Sequence, residues 1–255
     1  MRIKVTFQHD QGILIPWDYQ YAVQQWVYKI LAAADVMLAK KLHDCGYIYK
    51  GKSFKLFCFG PWNSYPYKVL PNQGIMFSAP NSHLEISFLL PSVLSTFVSG
   101  LFKDQRHTFF FKDKISIHVS TVQFELLPEP TFADGPASYQ LMTGCRISVH
   151  EAGHAQYIGP KHVDYHYNFI QNLMNKHRSS LLYQGAAEKE YAISMQVHDS
   201  VKTQKVNIPK DGKLIEMIGY KFGLELNAPA EIHRTLYYAG AGEECSVGMG
   251  WVERI

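Results

Sequence analysis

Hydrophobic and polar positions change period repeatedly along the 255 residues. Residues 2–8 alternate as Arg2, Ile3, Lys4, Val5, Thr6 and Phe7, the two-residue period of a half-buried strand. Residues 19–33 then place Ala22, Val23, Trp26, Val27, Ile30 and Leu31 at helical spacing, and Asp35 is suited to cap a second helix through Lys41. Strand signals follow at 54–59, 74–78 and 84–89. A helix from Pro91 carries Val93, Leu94, Phe97, Val98 and Leu101 on one face, and strands at 108–111 and 115–126 complete a first unit. Pro128, Pro130, Gly135 and Pro136 read as its boundary.

The second half repeats the scheme. A strand at 146–149 precedes a helix at 167–183 whose apolar face is Phe169, Ile170, Leu173, Met174 and Leu181. Strands follow at 192–197, 202–208 and 215–226, the last two joined as a hairpin through Pro209, Lys210, Asp211 and Gly212. A helix at 229–239 and an apolar terminal strand at 249–255 close the order. The expected class is α+β, with two tandem ferredoxin-like βαββαβ domains. Residues 1–127 form the first, 128–144 the linker, and 145–255 the second, which ends in a glycine-rich loop.

Composition adds a few constraints. A hydrophobic content of 47% is enough for one large core or two small ones, and a net charge of +3 permits a local basic face without requiring one. Lysines crowd positions 40, 41, 50, 52 and 55. The four cysteines, Cys45, Cys58, Cys145 and Cys245, show no C-x-x-C pairing, and the first residues read as a strand instead of a secretory leader. A reduced, cytoplasmic protein without structural zinc is expected. No apolar run approaches the ~20 residues of a membrane-spanning helix.

Glycines cluster near the C-terminus as Gly240, Gly242, Gly248 and Gly250, spaced G-x-G-x5-G-x-G. A phosphate loop of the nucleotide-binding kind follows a strand and opens a helix, whereas here a helical stretch precedes the loop and a strand follows it. What glycine offers at such places is close approach of bare backbone, to RNA phosphate or to a second domain. A turn-rich hairpin is the plainer alternative.

The opening strand, residues 19–28 (YQYAVQQWVY), Leu42-His43-Asp44 before a lysine-rich loop, the Lys55-Leu56-Phe57 strand and the terminal glycine motif occur together and in order. In this the chain resembles the CRISPR-associated repeat-RNA endoribonucleases, which process precursor CRISPR RNA. The resemblance implies a basic cleft between tandem ferredoxin-like folds and cleavage of the repeat without metal or other cofactor. The ribose 2′-OH attacks the adjacent phosphorus, leaving a 2′,3′-cyclic phosphate and a 5′-hydroxyl. Carried over, the family's tyrosine falls on Tyr28, its histidine on His43, and its lysine on Lys55 or Lys52, with Lys55 preferred on the Lys-Leu-Phe pattern. Without the resemblance, Tyr28 reads as a tyrosine at a core edge and His43 as a helix-end residue complementing the dipole. Expected RNA contacts are Lys50, Lys52, Lys202, Lys205, Arg234 and the four glycines, with further lysines such as Lys210 and Lys213 on the hairpin. Trp62, Tyr65 and Tyr67 could stack on unpaired bases. The expected partner is CRISPR repeat RNA; the resemblance leaves room for a homodimer, for other subunits of an interference complex, and for a repeat-RNA-binding protein that cuts little or not at all.

His150-Glu151-Ala152-Gly153-His154 matches H-E-x-x-H, the zinc metalloprotease signature, with His162, Asp164 and His166 nearby as conceivable third ligands. That chemistry needs a helix of several turns. Arg146 to Val149 reads as a strand, and Gly153, Gly159 and Pro160 interrupt any helix, so a loop or hairpin is the expectation.

Overall fold

The computed structural model describes residues 1–111, 115–151, 154–198, 200–210 and 213–255. Its first half contains β1 (Arg2–Gln8), β2 (Ile13–Pro16), α1 (Tyr19–Ala34), α2 (Val36–Asp44), β3 (Tyr47–Tyr49), β4 (Lys52–Phe54), β5 (Phe57–Phe59), β6 (Tyr67–Leu70), β7 (Gly74–Phe77), β8 (Asn81–Phe88), α3 (Pro91–Lys103), β9 (Arg106–Phe110) and β10 (Ser116–Leu126). The second holds β11 (Gly135–Leu141), β12 (Ile147–Glu151), β13 (His154–Ile158), α4 (Tyr165–Tyr183), β14 (Ser194–Val197), β15 (Lys202–Lys210), β16 (Lys213–Lys221), β17 (Gly223–Ala228), α5 (Ala230–Ala239) and β18 (Val252–Arg254).

The main sheets run β5-β8-β1-β10-β9 and β14-β17-β11-β18, with antiparallel neighbours. With β9 set aside as an added edge strand, each order is that of a βαββαβ unit in which the first and third strands lie side by side at the centre. The chain is thus an α+β protein of two tandem ferredoxin-like folds. Each unit buries its own core. Ile3, Val5 and Phe7 of β1 face Val23, Trp26, Val27 and Ile30 of α1 in the first; Tyr139, Leu224 and Leu226 face Phe169, Leu173, Ile232 and Leu236 in the second.

Three differences from the sequence reading have local causes. The strand expected at 54–59 is broken at Leu56, whose positive φ of 54° turns the chain so that β4 pairs only with β3 while β5 joins the main sheet. The strand expected at 74–78 is β7, which lies in a small sheet with β2 and β6, two strands too short to announce themselves. The stretch expected as linker, 128–144, contains β11, the first strand of the second unit. Its Gly135 and Pro136 sit at the strand's start, where a breaker costs little, while Tyr139 and Leu141 point into the core.

Two hairpins are inserted into the second unit. β15 and β16 pair with each other through residues whose connecting 211–212 lies outside the described part, and the strand expected at 215–226 is therefore two strands, β16 and β17. β12 and β13 form the other, with Glu151 opposite His154. The H-E-x-x-H string thus crosses a β-hairpin whose residues 152 and 153 lie outside the described part. Two histidines one helical turn apart, the arrangement a zinc protease requires, do not arise on paired strands, and the metalloprotease reading is withdrawn on that geometry.

The glycine loop runs between the units. Gly240, Gly242, Gly248 and Gly250 are all buried. A Cβ on Gly248 would lie 2.5 Å from the Phe59 ring of the first unit, and one on Gly250 would lie 2.0 Å from the Ala241 carbonyl oxygen at a φ of +72°. The close approach these residues permit is taken up by protein, so Gly240, Gly248 and Gly250 have no open face to offer a phosphate; Gly242 alone borders a cleft.

Gly250→Ala is therefore expected to destabilise the fold by about 2–4 kcal/mol, since backbone cannot yield as a side chain can. Gly12→Ala, at φ +74° with nothing within 4 Å, isolates the conformational part at ~1 kcal/mol. Urea denaturation of both variants checks the difference, and equal losses would remove the crowding argument. For the hairpin, zinc added to the purified chain is expected to leave its melting temperature unmoved and to exchange away on dialysis; a stoichiometric zinc lost in His154→Ala would restore the metal reading.

Candidate active site

Helix α1 has two stripes. Its apolar stripe enters the core, and the polar residues Tyr21, Gln24, Gln25 and Tyr28, spaced i, i+3, i+4 and i+7, line a cleft of about 320 Å³ together with His43 and Lys55. Asp35 makes the corner that brings α2 back along α1: its N–H donates to Leu31 O at 2.8 Å, closing α1, and its carboxylate accepts from Leu38 N at 2.9 Å, opening α2. His43 thus lies in the last turn of α2, its ring 5.2 Å from that of Tyr28 and edge-on at 78°. The same tyrosine meets Phe57 of β5 edge-on at 5.8 Å.

Lys55 arrives from the other side. The break at Leu56 directs it to the C-terminus of α2, where its ammonium donates to the His43 carbonyl oxygen at 2.7 Å. A lysine there meets the negative end of the helix and satisfies a carbonyl the helix leaves unpaired. Tyr28, His43 and Lys55, scattered over 28 residues of sequence, therefore share one wall. Lys52 is exposed on β4 and borders the adjoining, larger cleft of about 460 Å³, which also includes Lys55, Glu243, Glu244 and Gly242.

The electrostatics give each group a state. His43 Nδ1 lies 2.9 Å from Asp44 Oδ1. A carboxylate only accepts, so Nδ1 is the donor in this contact, and in the neutral ring the lone pair is then on Nε2; the residue itself lines the cleft. This hydrogen bond is the main cause holding the Asp44 carboxyl below its ordinary range. Burial first, and the Glu244 carboxylate second, push the Tyr28 phenol up, so it keeps its hydroxyl proton. Burial also lowers the Lys55 ammonium, against the opposing pull of Cys45, Asp44 and Glu244. The arrangement offers a base, a neutral hydroxyl donor and a cation whose proton is loosened.

Of the expected RNA contacts, Lys50, Lys52 and Lys202 are exposed. Lys205 is paired with Glu216 at 3.1 Å, and Arg234 is paired with Glu129, near Phe132 and among the lining of neither cleft. Lys210 and Lys213 flank the end of the hairpin, and their side chains lie outside the described part. Trp62 is buried and donates to Ser82 Oγ at 2.9 Å, which removes it as a stacking surface, whereas Tyr65 and Tyr67 are exposed. Sequence reasoning did not single out Asp44 as the orienter of His43, nor Glu244, nor the polar stripe of α1; the stripe's spacing was the signal that could have found it.

The fold recurs in solved structures. One described as "CRISPR associated protein Cas6" superposes on 100% of this chain and 99% of its own with a TM-score of 0.77 at 20% identity. A Cas6-related protein from Pyrococcus furiosus gives 0.79 at 17% identity, covering 100% and 98%. A third, described as a RAMP protein binding different RNA substrates, gives 0.79 at 16% identity over 100% and 99%. Among curated proteins, the CRISPR-associated endoribonuclease Cas6 1 of Methanocaldococcus jannaschii is 28% identical over 131 residues, a match spanning 50% of this chain and 49% of that protein. Among the described residues no helix is long and apolar enough to cross a membrane. The family model "CRISPR associated protein Cas6, C-terminal" matches residues 127–254, half of the sequence and nearly all of the second unit, and with it the chain belongs to the Cas6 family.

Proposed function

We propose that this chain binds CRISPR repeat RNA and cleaves precursor CRISPR RNA by attack of a ribose 2′-OH, with Tyr28, His43 and Lys55 as its catalytic residues. The observation that carries the reading is their convergence: the Tyr28 and His43 rings 5.2 Å apart and the Lys55 ammonium 2.7 Å from the His43 carbonyl, at one cleft. The named activity of the Methanocaldococcus relative supports it.

The chemistry follows from the states of the groups. His43 Nε2 takes the 2′-OH proton, the 2′ oxygen bonds to phosphorus, and the bond to the 5′ oxygen breaks. Tyr28, held neutral, donates a hydrogen bond to a non-bridging oxygen. The Lys55 ammonium offsets the charge of the pentacoordinate phosphorane, and its loosened proton can pass to the departing 5′ oxygen. Proton transfer and charge stabilisation are all supplied by side chains, so the step is proposed to need no metal. Exposed Lys50, Lys52 and Lys202 are the proposed phosphate contacts, with the larger cleft as the track along which RNA approaches. Association with other interference-complex subunits or with a second copy of the chain belongs to this same reading.

His43→Ala is expected to slow single-turnover cleavage of repeat RNA in the presence of a chelator by roughly 10² to 10⁴, with repeat affinity nearly intact. Tyr28→Phe should cost less, since only a hydrogen bond is lost. Unchanged cleavage in His43→Ala would sink the assignment, and a repeat that the unaltered chain binds but never cuts would make it an RNA-binding protein only.

The pH profile tests Lys55. Its charged form is the active one and burial lowers its pKa, so the alkaline fall in rate should begin below the ordinary lysine value of 10.5. Lys55→Arg should keep part of the rate and carry that fall to higher pH. An alkaline limb unmoved in Lys55→Arg would assign it to another group, with Lys52 the next to examine.

A further inference from the structure

Behind the larger cleft lies a buried ammonium that the cleavage chemistry does not use. Lys176 of α4 is buried, and its Nζ donates to Gly240 O at 2.7 Å and Ala239 O at 3.2 Å and lies 3.0 Å from Cys245 Sγ. No carboxylate is among these contacts. A charge removed from water needs a counter-charge, and the acidic group touching this one is a thiol. Burial by itself would push the Cys245 thiol up, but the hydrogen bond with Cys58 and the Lys176 ammonium outweigh it and draw it down to about 6. The Cys58 thiol, fully buried, is pushed up instead, by burial and then by Cys245.

The two cysteines come from different units. Cys58 is the middle residue of β5, and Cys245 opens the 3-10 turn (Cys245–Val247) of the glycine loop. They meet beside Gly240, where an added Cβ would lie 2.8 Å from the Cys245 sulfur and 3.0 Å from that of Cys58. Cys245, 6% exposed, is among the residues that line the larger cleft, while Cys58 is fully buried beside it with Trp251.

We propose that Cys245 and Cys58 are an oxidisable dithiol, with Cys245 as the thiolate that reacts and Cys58 as the thiol that resolves it into a disulfide across the two units. The oxidant class is a hydroperoxide. The Cys245 sulfur attacks one peroxide oxygen, the O–O bond breaks, and hydroxide leaves, giving a sulfenic acid. The Cys58 sulfur then bonds to the Cys245 sulfur, the S–O bond breaks, and water departs with the Cys58 proton. With hydrogen peroxide the departing hydroxide takes up the proton that the Cys245 thiol gave up on ionising, so two thiols are oxidised, one peroxide is reduced, and two waters form. Lys176 keeps Cys245 in its reactive form, the electropositive setting typical of reactive cysteines.

The test treats the purified full chain with hydrogen peroxide at neutral pH, blocks remaining thiols with iodoacetamide, and maps peptides by mass spectrometry without reduction. A linked peptide pair containing Cys58 and Cys245 is expected, released by dithiothreitol and absent from Cys58→Ser, with exposed Cys45 and buried Cys145 alkylated as in the untreated chain after unfolding. Lys176→Met should slow the loss of the Cys245 thiol ~10-fold or more at neutral pH. Should that variant fail to fold, the unaltered chain gives the same reading: its oxidation rate should rise with the titration of a thiolate near about 6, well below the 9.0 of an ordinary thiol. A disulfide to Cys145 or Cys45, oxidation of Cys245 to a sulfinic acid with Cys58 still free, or no oxidation of either residue would overturn the proposal.

Discussion

The second residue of the chain holds the two halves in register. Arg2, at the start of the central strand β1, is buried, and its guanidinium carbon lies 3.5 Å from the Tyr237 ring and 3.8 Å from the Trp251 ring. It donates to both Glu253 oxygens at 2.9 Å and to the carbonyls of Tyr237 and Val252. A planar cation stacked on two aromatic rings and forked onto one carboxylate has few alternative placements. The first strand of one unit is therefore tied to the last helix and last strand of the other. Removing one partner of a buried pair costs ~3–5 kcal/mol in general, less here because Glu253 is 38% exposed.

What that clamp fixes is the position of the loop between α5 and β18. Once Tyr237 and Val252 are held against β1, the intervening residues have to cross the seam beside β5 and α1. They do so with Gly248 pressed against Phe59 of the first unit and with Gly250 pressed against the loop's own beginning at Ala241. Glu244 is thereby brought into the field of Tyr28 and Lys55, and Ser246 accepts from Gln24 of α1 at 3.3 Å. The candidate catalytic side chains all come from the first unit, yet one charge of the second, Glu244, bears on both Tyr28 and Lys55, at the lysine beside Cys45 and Asp44 of the first.

How much of this could be read from the chain depends on the range of the interaction. α1 and α3 were legible because their apolar positions repeat at helical spacing, and Asp35 announced the corner between α1 and α2; together these place Tyr28 and His43 on one wall. β11 was not, since Gly135 and Pro136 look like a linker until Tyr139 and Leu141 find a core supplied by residues from Phe169 to Leu236, all well beyond its own stretch of sequence. Arg234 and Lys205 looked like free cations for the same reason. Their partners, Glu129 and Glu216, are distant in sequence or across a hairpin, and a lysine's net effect on a polyanion depends on which acids it already faces.

The glycine motif shows the same limit from the other side. Its spacing is the most distinctive pattern in the sequence, and a pattern that strict invites a role in contacting the ligand. In the structure its strictness has a packing cause: the buried backbone of this loop is pressed against two units and a lysine, and at Gly250 even a methyl group would meet a carbonyl oxygen at 2.0 Å. The same crowding that excludes side chains leaves two sulfurs and an ammonium as neighbours, because a chain passing this close to β5 and α4 must accept whatever those elements present. A loop that looks made for a phosphate is thus first a joint between folds. Its bearing on the proposed RNA site passes through the positions it gives to Glu244 and to the cleft wall, which ties the candidate catalytic groups to the packing of the seam.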